Sequence, residues 1–569
     1  MTAQSAITGS TAGARHHART APPVTARNIA QSLFFVVLLV LFVWAWRLIH
    51  MSILGFFDDL GNVWNLFKRM YPPDFSDLGH LVRLMIETLW IALLGTTLSV
   101  ILSYPLAIGA AANTTPHRYV RFVCRSVITL SRAVPDLILA AIFVAAFGTG
   151  PFPGILALGL HSIGMIGRLF ADAIEQAAEA PREAVSSVGS TRRQTIRAAI
   201  IPQALPSMIA TALFRLEINI RGSSVLGLVG AGGIGVVISQ SLELIQYKPA
   251  LAAVVVIFVV VMAVELLSTA VRLSLLGENA NMGRTRPRSW LSRAIQDRNS
   301  SLIKRSAEMR AVSPPWTSER VFRTSVGFFL GLLTIIAVFN VDTDWWSMFG
   351  QFPRLWDIIR SLFPPSFGGQ GGAIVAGLKE SFAISVLATL MGITVSLPLS
   401  LFVARNINAR RIVATLMRVL VVALRGIPEL VVAVIFVAAM GLGPIPGTLA
   451  LSVTVAFFST KLFADTLEEV NPAPREAVVS VGATRSQEFF AAVVPQFVPP
   501  FISHLFYLFD VYLRSSTVLG IVGGGGIGFL LLESIRGIRF DITMMIVLLI
   551  FLMVLVIEWI GLWVRGLFR

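Results

Sequence analysis

Pro181–Gln203 reads PREAVSSVGSTRRQTIRAAIIPQ, and Pro474–Gln496 reads PREAVVSVGATRSQEFFAAVVPQ. The second stretch begins 293 residues after the first (474 − 181 = 293). The copies share Pro181/Pro474, Arg182/Arg475, Glu183/Glu476, Ala184/Ala477, Gly189/Gly482, Arg192/Arg485 and Pro202/Pro495. Each is a polar, arginine-bearing island between apolar runs of membrane length. Loops ordinarily drift in sequence and carry function when they do not. The plainer reading is a loop whose charges only fix topology. Topology, however, needs positive charge in bulk, not Glu, Ala, Gly and Pro at fixed offsets. The duplication therefore favours a surface that docks a partner.

Composition sets the solvent. Of 569 residues, 55% are hydrophobic and 14% charged, with a mean hydropathy of +0.77. These values indicate a polytopic membrane protein. The formal charge of +15 would raise nucleic acid as a partner in a soluble protein. Here the basic residues gather between apolar spans, as the positive-inside rule requires, and no nucleic-acid partner is expected. The lone cysteine, Cys124, excludes an intrachain disulfide and any CxxC metal site. The seven histidines show no metal-ligand spacing.

Apolar spans are predicted over 29–49, 81–112, 120–147, 154–170, 203–221 and 249–271. The first is too long for a signal-peptide core and reads as a retained helix following a cytoplasmic arm, residues 1–28. Residues 273–323 carry ten basic residues against four acids and no apolar period, which reads as a cytoplasmic linker. The plan then repeats over 324–342, 374–405, 413–440, 447–463, 496–513 and 542–564. Glu87/Glu380, Pro105/Pro398, Arg132/Arg425, Pro135/Pro428, Asp172/Asp465, Glu265/Glu558 and Arg272/Arg565 keep the same offset. An ungapped repeat of this length means two equivalent halves, residues 29–272 and 324–569. With arm and linker both cytoplasmic, each half holds an even number of spans. Six per half gives parallel repeats related by an axis near the membrane normal. Arg118, Arg121, Arg125, Arg168, Arg182, Arg192, Arg193 and Arg197 put the loops after the second and fourth spans inside. Asp58, Asp59, Asp74 and Asp77 put the first loop outside, with Trp64–Phe67 suited to the interface.

The loop itself has a legible local structure. Pro181 suits a first helical turn and Glu183 the positive helix end. Gly189 ends that helix, Ser190 is placed to cap a second one through Ile200, and Pro202 opens the next span. The result is two short helices and a bend, tethered at both ends to the membrane.

The spacing of Glu-Ala, a glycine six residues after the Glu and a proline nineteen after it resembles the EAA loop of permease subunits of binding-protein-dependent ABC importers. Val185 and Val478 stand where the second alanine is usual, and Ala199 with Ile201, and Ala492 with Val494, replace the usual Ile and Leu. The resemblance covers nearly all of both halves. Within the family the chain is similar to phosphonate/phosphate-type permeases through three stretches. They are Arg132-Ala-Val-Pro-Asp136 with Arg425-Gly-Ile-Pro-Glu429, Gly148–Gly154 with Gly441–Gly447, and Val225–Gly235 with Val518–Gly528. The resemblance implies an all-α polytopic membrane protein of type I importer architecture, with two homologous six-helix halves and about twelve transmembrane helices. It also implies that Glu183, Ala184, Gly189, Glu476, Ala477 and Gly482 couple to a homodimer of ABC ATPase subunits. An extracytoplasmic substrate-binding protein would deliver cargo. The chain has no Walker A pattern and no Gly-Lys dipeptide, so ATP and magnesium belong on the ATPase. No cofactor and no covalent chemistry are expected in this chain, which lies in the lipid bilayer of the cytoplasmic membrane with both termini inside.

Candidate pathway residues follow from ionisable groups at membrane depth, which pair or line a water-filled route. Arg221 and Arg514 end the fifth spans, with Glu217 and Asp510 four residues earlier on the same helical face. One reading is an intrahelical ion pair. The other is a pair of arginines facing an oxyanion, with Ser223, Ser224, Ser516 and Thr517 supplying hydroxyls. The two can coexist. The glycine runs around Gly230, Gly232, Gly233, Gly523, Gly525 and Gly526 lack the strand a nucleotide fingerprint needs. They read as a helix break near a gate, where free amides attract anions, or as close helix packing. Arg132 and Arg425 are expected near the start of a bent third span, where they also suit cytoplasmic anchoring. The functional expectation is an ATP-driven importer of phosphonate, phosphite or phosphate. The alternatives are an ABC permease for methionine or a quaternary amine and, from another class, a secondary transporter or channel.

Overall fold

The computed structural model describes residues 26–276, 316, 318–407 and 410–568. Most of the 1–28 arm and of the 273–323 linker lies outside the described residues. Every regular element among the described residues is helical. Among the described residues ten helices are long and apolar enough to cross a membrane, and counting each of two bent helix pairs as one span gives twelve.

In the first half the spans are Ala26–Leu48, Leu78–Ala110, the pair Arg118–Ala133 and Asp136–Phe147, Pro151–Glu175, Ile201–Leu226 and Tyr247–Leu276. Their counterparts are Ser318–Asn340, Gly371–Val403, Arg411–Arg425 with Glu429–Met440, Pro444–Glu468, Val494–Leu519 and Phe540–Leu567. Leu78–Ala110, Pro151–Glu175 and Ile201–Leu226 pack against one another as the core of their half, and the second half repeats this. Small residues permit the approach: a Cβ on Gly95 would lie 2.9 Å from Leu158 Cβ. Lipid tails offer helices no hydrophobic drive to associate, so such close contacts hold them together.

The halves exchange elements. Ala26–Leu48 lies on Gly371–Val403 of the other half, and Ser318–Asn340 lies on Leu78–Ala110. Thr97 Oγ1 and Thr334 Oγ1 are 3.2 Å apart across that second contact. Between the first two spans runs an amphipathic helix, Ile53–Met70, and Trp64 on it is exposed. Its Val63, Leu66 and Met70 are buried. The helix packs on Glu429–Met440 of the second half and on Tyr247–Leu276. Phe352–Ser361 does the reciprocal service for Asp136–Phe147, with the Phe147 and Phe352 rings 5.5 Å apart.

The third span departs from expectation. It is not continuous over 120–147: the chain turns by 87° between Arg118–Ala133 and Asp136–Phe147, and by 76° at the equivalent place in the second half. The bend lies past the middle of the predicted span, not near its start. Pro135 and Pro428 stand at the N-caps of the new helices, where a missing amide hydrogen costs nothing. Arg121 and Arg125 pair with Glu175, at the end of Pro151–Glu175. Arg132 instead packs on Gly164, halfway along that helix. Arg118–Ala133 therefore climbs from one membrane face to mid-depth and then turns. Arg132 is thus no cytoplasmic anchor.

Candidate functional site

The repeated loop folds as a helix, Glu179–Ser187 or Pro472–Ser480, with no buried residue in either copy. Glu183, Ala184, Glu476 and Ala477 are exposed. Gly189 and Gly482 follow at φ +78° and +83° with open space around them. Glycine is needed there for the left-handed turn, not for room. Val188 and Val481, just before them, are 81% and 82% exposed. Both loops thus leave an apolar side chain bare at the same place. The second helix is capped by Thr191 and Thr484, not by Ser190. Both make capping boxes with Gln194 and Gln487. It does not end before the membrane either. It runs through a π-helical turn, Ile196–Ile200 or Phe489–Val493, into the span. Pro202 and Pro495, just beyond, cannot donate to the preceding turn, which accounts for the wider ladder.

Matched bonds tie the loops to the spans. Gln203 Oε1 accepts from Ala178 N at 3.0 Å, and Gln496 Oε1 from Asn471 N at 3.2 Å. Glu175 and Glu468 hold Arg125 and Arg418 at 3.0 and 2.5 Å. These bonds join the ends of each loop to the spans beside it.

The three stretches shared with phosphonate/phosphate-type permeases converge. Ile201–Leu226 ends in a tight turn, and Gly230, Gly232 and Gly233 take φ of +85°, +79° and +79°. Gly523, Gly525 and Gly526 repeat this at +87°, +79° and +81°. A new helix then starts at Gly235 or Gly528. The expected break is present, but its amides are engaged. Gly233 N donates to Glu87 Oε1 at 3.0 Å and Ile234 N to Thr88 Oγ1 at 2.9 Å. Glu380 and Ser381 do the same for Gly526 and Ile527. Gly150 N and Gly443 N donate to the carbonyls of Gly230 and Gly523, both at 2.9 Å.

The arginines at the fifth-span ends sit in charge clusters built from both halves. Arg221 binds Glu217 at 2.6 Å and Glu265 at 3.5 Å. Arg425, from the bent span of the other half, binds the same Glu265 at 2.6 Å. The mirror cluster is open. Arg514 binds Asp510 at 2.5 Å and the Arg132 carbonyl at 3.4 Å, while among the described residues no ion pair joins Arg132 to Glu558. The intrahelical pairs expected from sequence are therefore formed. Arg221 and Arg514 still keep about a fifth of their side chains exposed (21% and 19%). Ser223 and Ser516 donate to the Thr88 and Ser381 carbonyls, and Ser224 and Thr517 to the carbonyls of Arg221 and Arg514. All four hydroxyl protons are thus bound to main chain.

Sequence reasoning passed over Arg215. It is 6% exposed and lies between the core helices of the first half. Its Nε donates to Ser162 Oγ at 2.8 Å, Ser162 to Asn219 Oδ1 at 3.1 Å, and Asn219 to Thr96 Oγ1 at 2.9 Å. An ionisable residue in the middle of a predicted span was the available signal.

The sequence matches the family described as binding-protein-dependent transport system inner membrane component over residues 103–277 and again over 396–568. The chain belongs to this family. It is a multi-pass membrane subunit of a binding-protein-dependent importer, with one family domain in each half. It is similar to the phosphate-import permease protein PhnE of Mycolicibacterium smegmatis, with 42% identity over 90% of both chains. The phosphite transport system permease protein PtxC of Stutzerimonas stutzeri is 43% identical over 38% of this chain and 78% of its own length. The probable D-methionine transport system permease protein MetI of Haemophilus influenzae is 26% identical over 26% of this chain and 75% of its own length. Family membership sets aside the reading as a stand-alone secondary transporter or channel. With the family domain present twice, the chain is a fused double permease.

Proposed function

We propose that this chain is the fused double permease of an ATP-driven importer that carries phosphate, phosphite or a phosphonate across the cytoplasmic membrane. The observation that carries the cargo class is the 42% identity with a phosphate-import permease over 90% of both chains. The methionine-type relative matches a quarter of this chain at 26% identity, which favours the oxyanion over methionine or a quaternary amine. Arginines suit such cargo, because the guanidinium fork meets a tetrahedral oxyanion with two parallel bonds.

In this reading the Glu179–Ser187 and Pro472–Ser480 helices seat on the two subunits of an ABC ATPase homodimer. Glu183, Ala184, Gly189, Glu476, Ala477 and Gly482 form the contact. The ATPase holds ATP and magnesium, and this permease holds no cofactor. Nucleotide-driven closure pulls the loop helices together, and Gln203, Gln496, Glu175 and Glu468 transmit the movement. A substrate-binding protein loads the opposite face. Arg221 and Arg514 flank the route between the halves, with Ser223, Ser224, Ser516 and Thr517 fixing their turns, and the glycine breaks form the gate. The 1–28 arm, the 273–323 linker and both termini are cytoplasmic, and 29–272 and 324–569 are the two repeats. The test is uptake of radiolabelled phosphate, phosphite and methylphosphonate by proteoliposomes holding the chain with its ATPase and binding protein. Accumulation of at least one is expected. Uptake of methionine or a betaine with none of the three would overturn the reading.

A further inference from the structure

We propose that Arg215 is an oxyanion-binding residue of the first half, with Ser162 and Asn219 holding it in place, and that the second half has no such site. The proposal rests on the oxyanion reading and deepens it. Arg215 is nine-tenths buried, and a guanidinium does not lose its charge in a protein. Of its five N–H donors, one goes to Ser162 Oγ and one to the Met165 sulfur at 3.6 Å, a weak acceptor. The described residues supply no acceptor for the others, and no carboxylate lies within ion-pair distance. Asp136, just past the bend that faces the other half, acts on it only through longer-range charge. Of the other arginines singled out at this depth, Arg221, Arg425 and Arg514 each hold a carboxylate, and Arg132, which has no ion pair among the described residues, is only partly buried where Arg215 is buried. A buried, uncompensated charge is costly, and a mobile anion compensates it without a resident partner.

The second half supplies the control. At the offset of 293, Arg215, Ser162 and Asn219 are replaced by Leu508, Val455 and Tyr512, all buried. The same helix packing is thus achieved with Leu508 and Val455 where the first half has Arg215 and Ser162, so that polar pair is not a requirement of the fold. The relay from Arg215 through Ser162 and Asn219 to Thr96 donates away from the guanidinium throughout. Its Nε is thereby fixed, and its free N–H groups stay unfilled. A tetrahedral oxyanion accepts from them without displacing any existing bond.

The experiment compares wild type with Arg215→Leu/Ser162→Val, which copies the second half, and with Arg215→Lys and Arg215→Gln. Each is assembled with ATPase and binding protein in proteoliposomes and assayed with radiolabelled phosphate and phosphite. Loss of a charge-assisted contact predicts ~10-fold or more slower uptake by the leucine variant, with assembly and basal ATPase activity retained. Lysine restores part of the rate and glutamine restores less, because the anion needs charge. A purely structural hydrogen bond to Ser162 predicts the opposite order. Normal uptake by the leucine or glutamine variant, or failure of both Leu and Lys variants to assemble, would overturn the proposal. Absence of oxyanion uptake by wild type would instead overturn the cargo reading on which it rests.

Discussion

Arg425 and Glu265 stand 160 residues apart in sequence and meet at 2.6 Å between the two halves. Glu265 also serves Arg221 at 3.5 Å, so one carboxylate compensates two arginines from different halves. At the mirror position, Glu558 is exposed and holds no ion pair with Arg132 among the described residues. Two halves with one architecture therefore differ in whether this bond is made. Glu265→Ala strands Arg425, whose side chain is 18% exposed, and leaves Arg221 with Glu217 alone. A loss of about 3–5 kcal/mol is expected, read as a lowered melting temperature of the purified complex. Glu558→Ala should lie within about 0.5 kcal/mol of wild type. Restoration of stability by Glu265→Arg with Arg425→Glu checks that the pairing itself is responsible. Equal effects of the two alanine variants would argue against the asymmetry.

The loop helices carry the coupling prediction. Replacing Glu183, Gly189, Glu476 and Gly482 together should detach or uncouple the ATPase while the chain stays in the membrane at normal yield. Gly189 and Gly482 alone should each cost on the order of 1 kcal/mol when changed to alanine, from the left-handed turn. Single-loop variants should be milder than the quadruple variant if, as proposed, each loop meets one ATPase subunit. Normal ATPase co-purification and normal uptake by the quadruple variant count against the assignment.

Orientation is checked by labelling. A cysteine near Asp74 should react with an impermeant thiol reagent added outside, while one near Arg298 or in the 1–28 arm should not. The single native cysteine, Cys124, is removed first. Reaction of the linker from outside reverses the orientation and with it the coupling site.

Arg221 and Arg514 separate by a four-residue test. If they serve the anion, changing both to glutamine abolishes uptake without loss of assembly, and lysine rescues in part. If they serve only Glu217, Glu265 and Asp510, single removals strand carboxylates and lower expression. Removing Glu217 and Asp510 with both arginines then restores expression and uptake alike. Normal transport by that quadruple variant would leave the ion pairs as structural and remove both arginines from the route.

The membrane class, the duplication, the sixfold plan of each half and the loop with its Glu-Ala and glycine were set by the sequence itself. Each is a local signal: hydropathy over about 20 residues, a fixed offset, a cap, a turn that needs positive φ. The ion pairs Arg221–Glu217 and Arg514–Asp510 were legible for the same reason, being one helical turn apart. What only the tertiary structure decided is how the halves engage. Hydropathy registers that 120–147 is apolar, but it is blind to the direction the chain takes after Val134. Arg132 and Arg425 therefore read as span-start residues when they lie at mid-depth. Nothing within a single half marks Glu265 as the partner of Arg425, because that contact exists only once the bent spans and first helices have crossed to the other half. Arg215 was visible as a letter in an apolar run. Its want of a carboxylate emerged only when Ser162, Asn219 and Thr96 were packed around it.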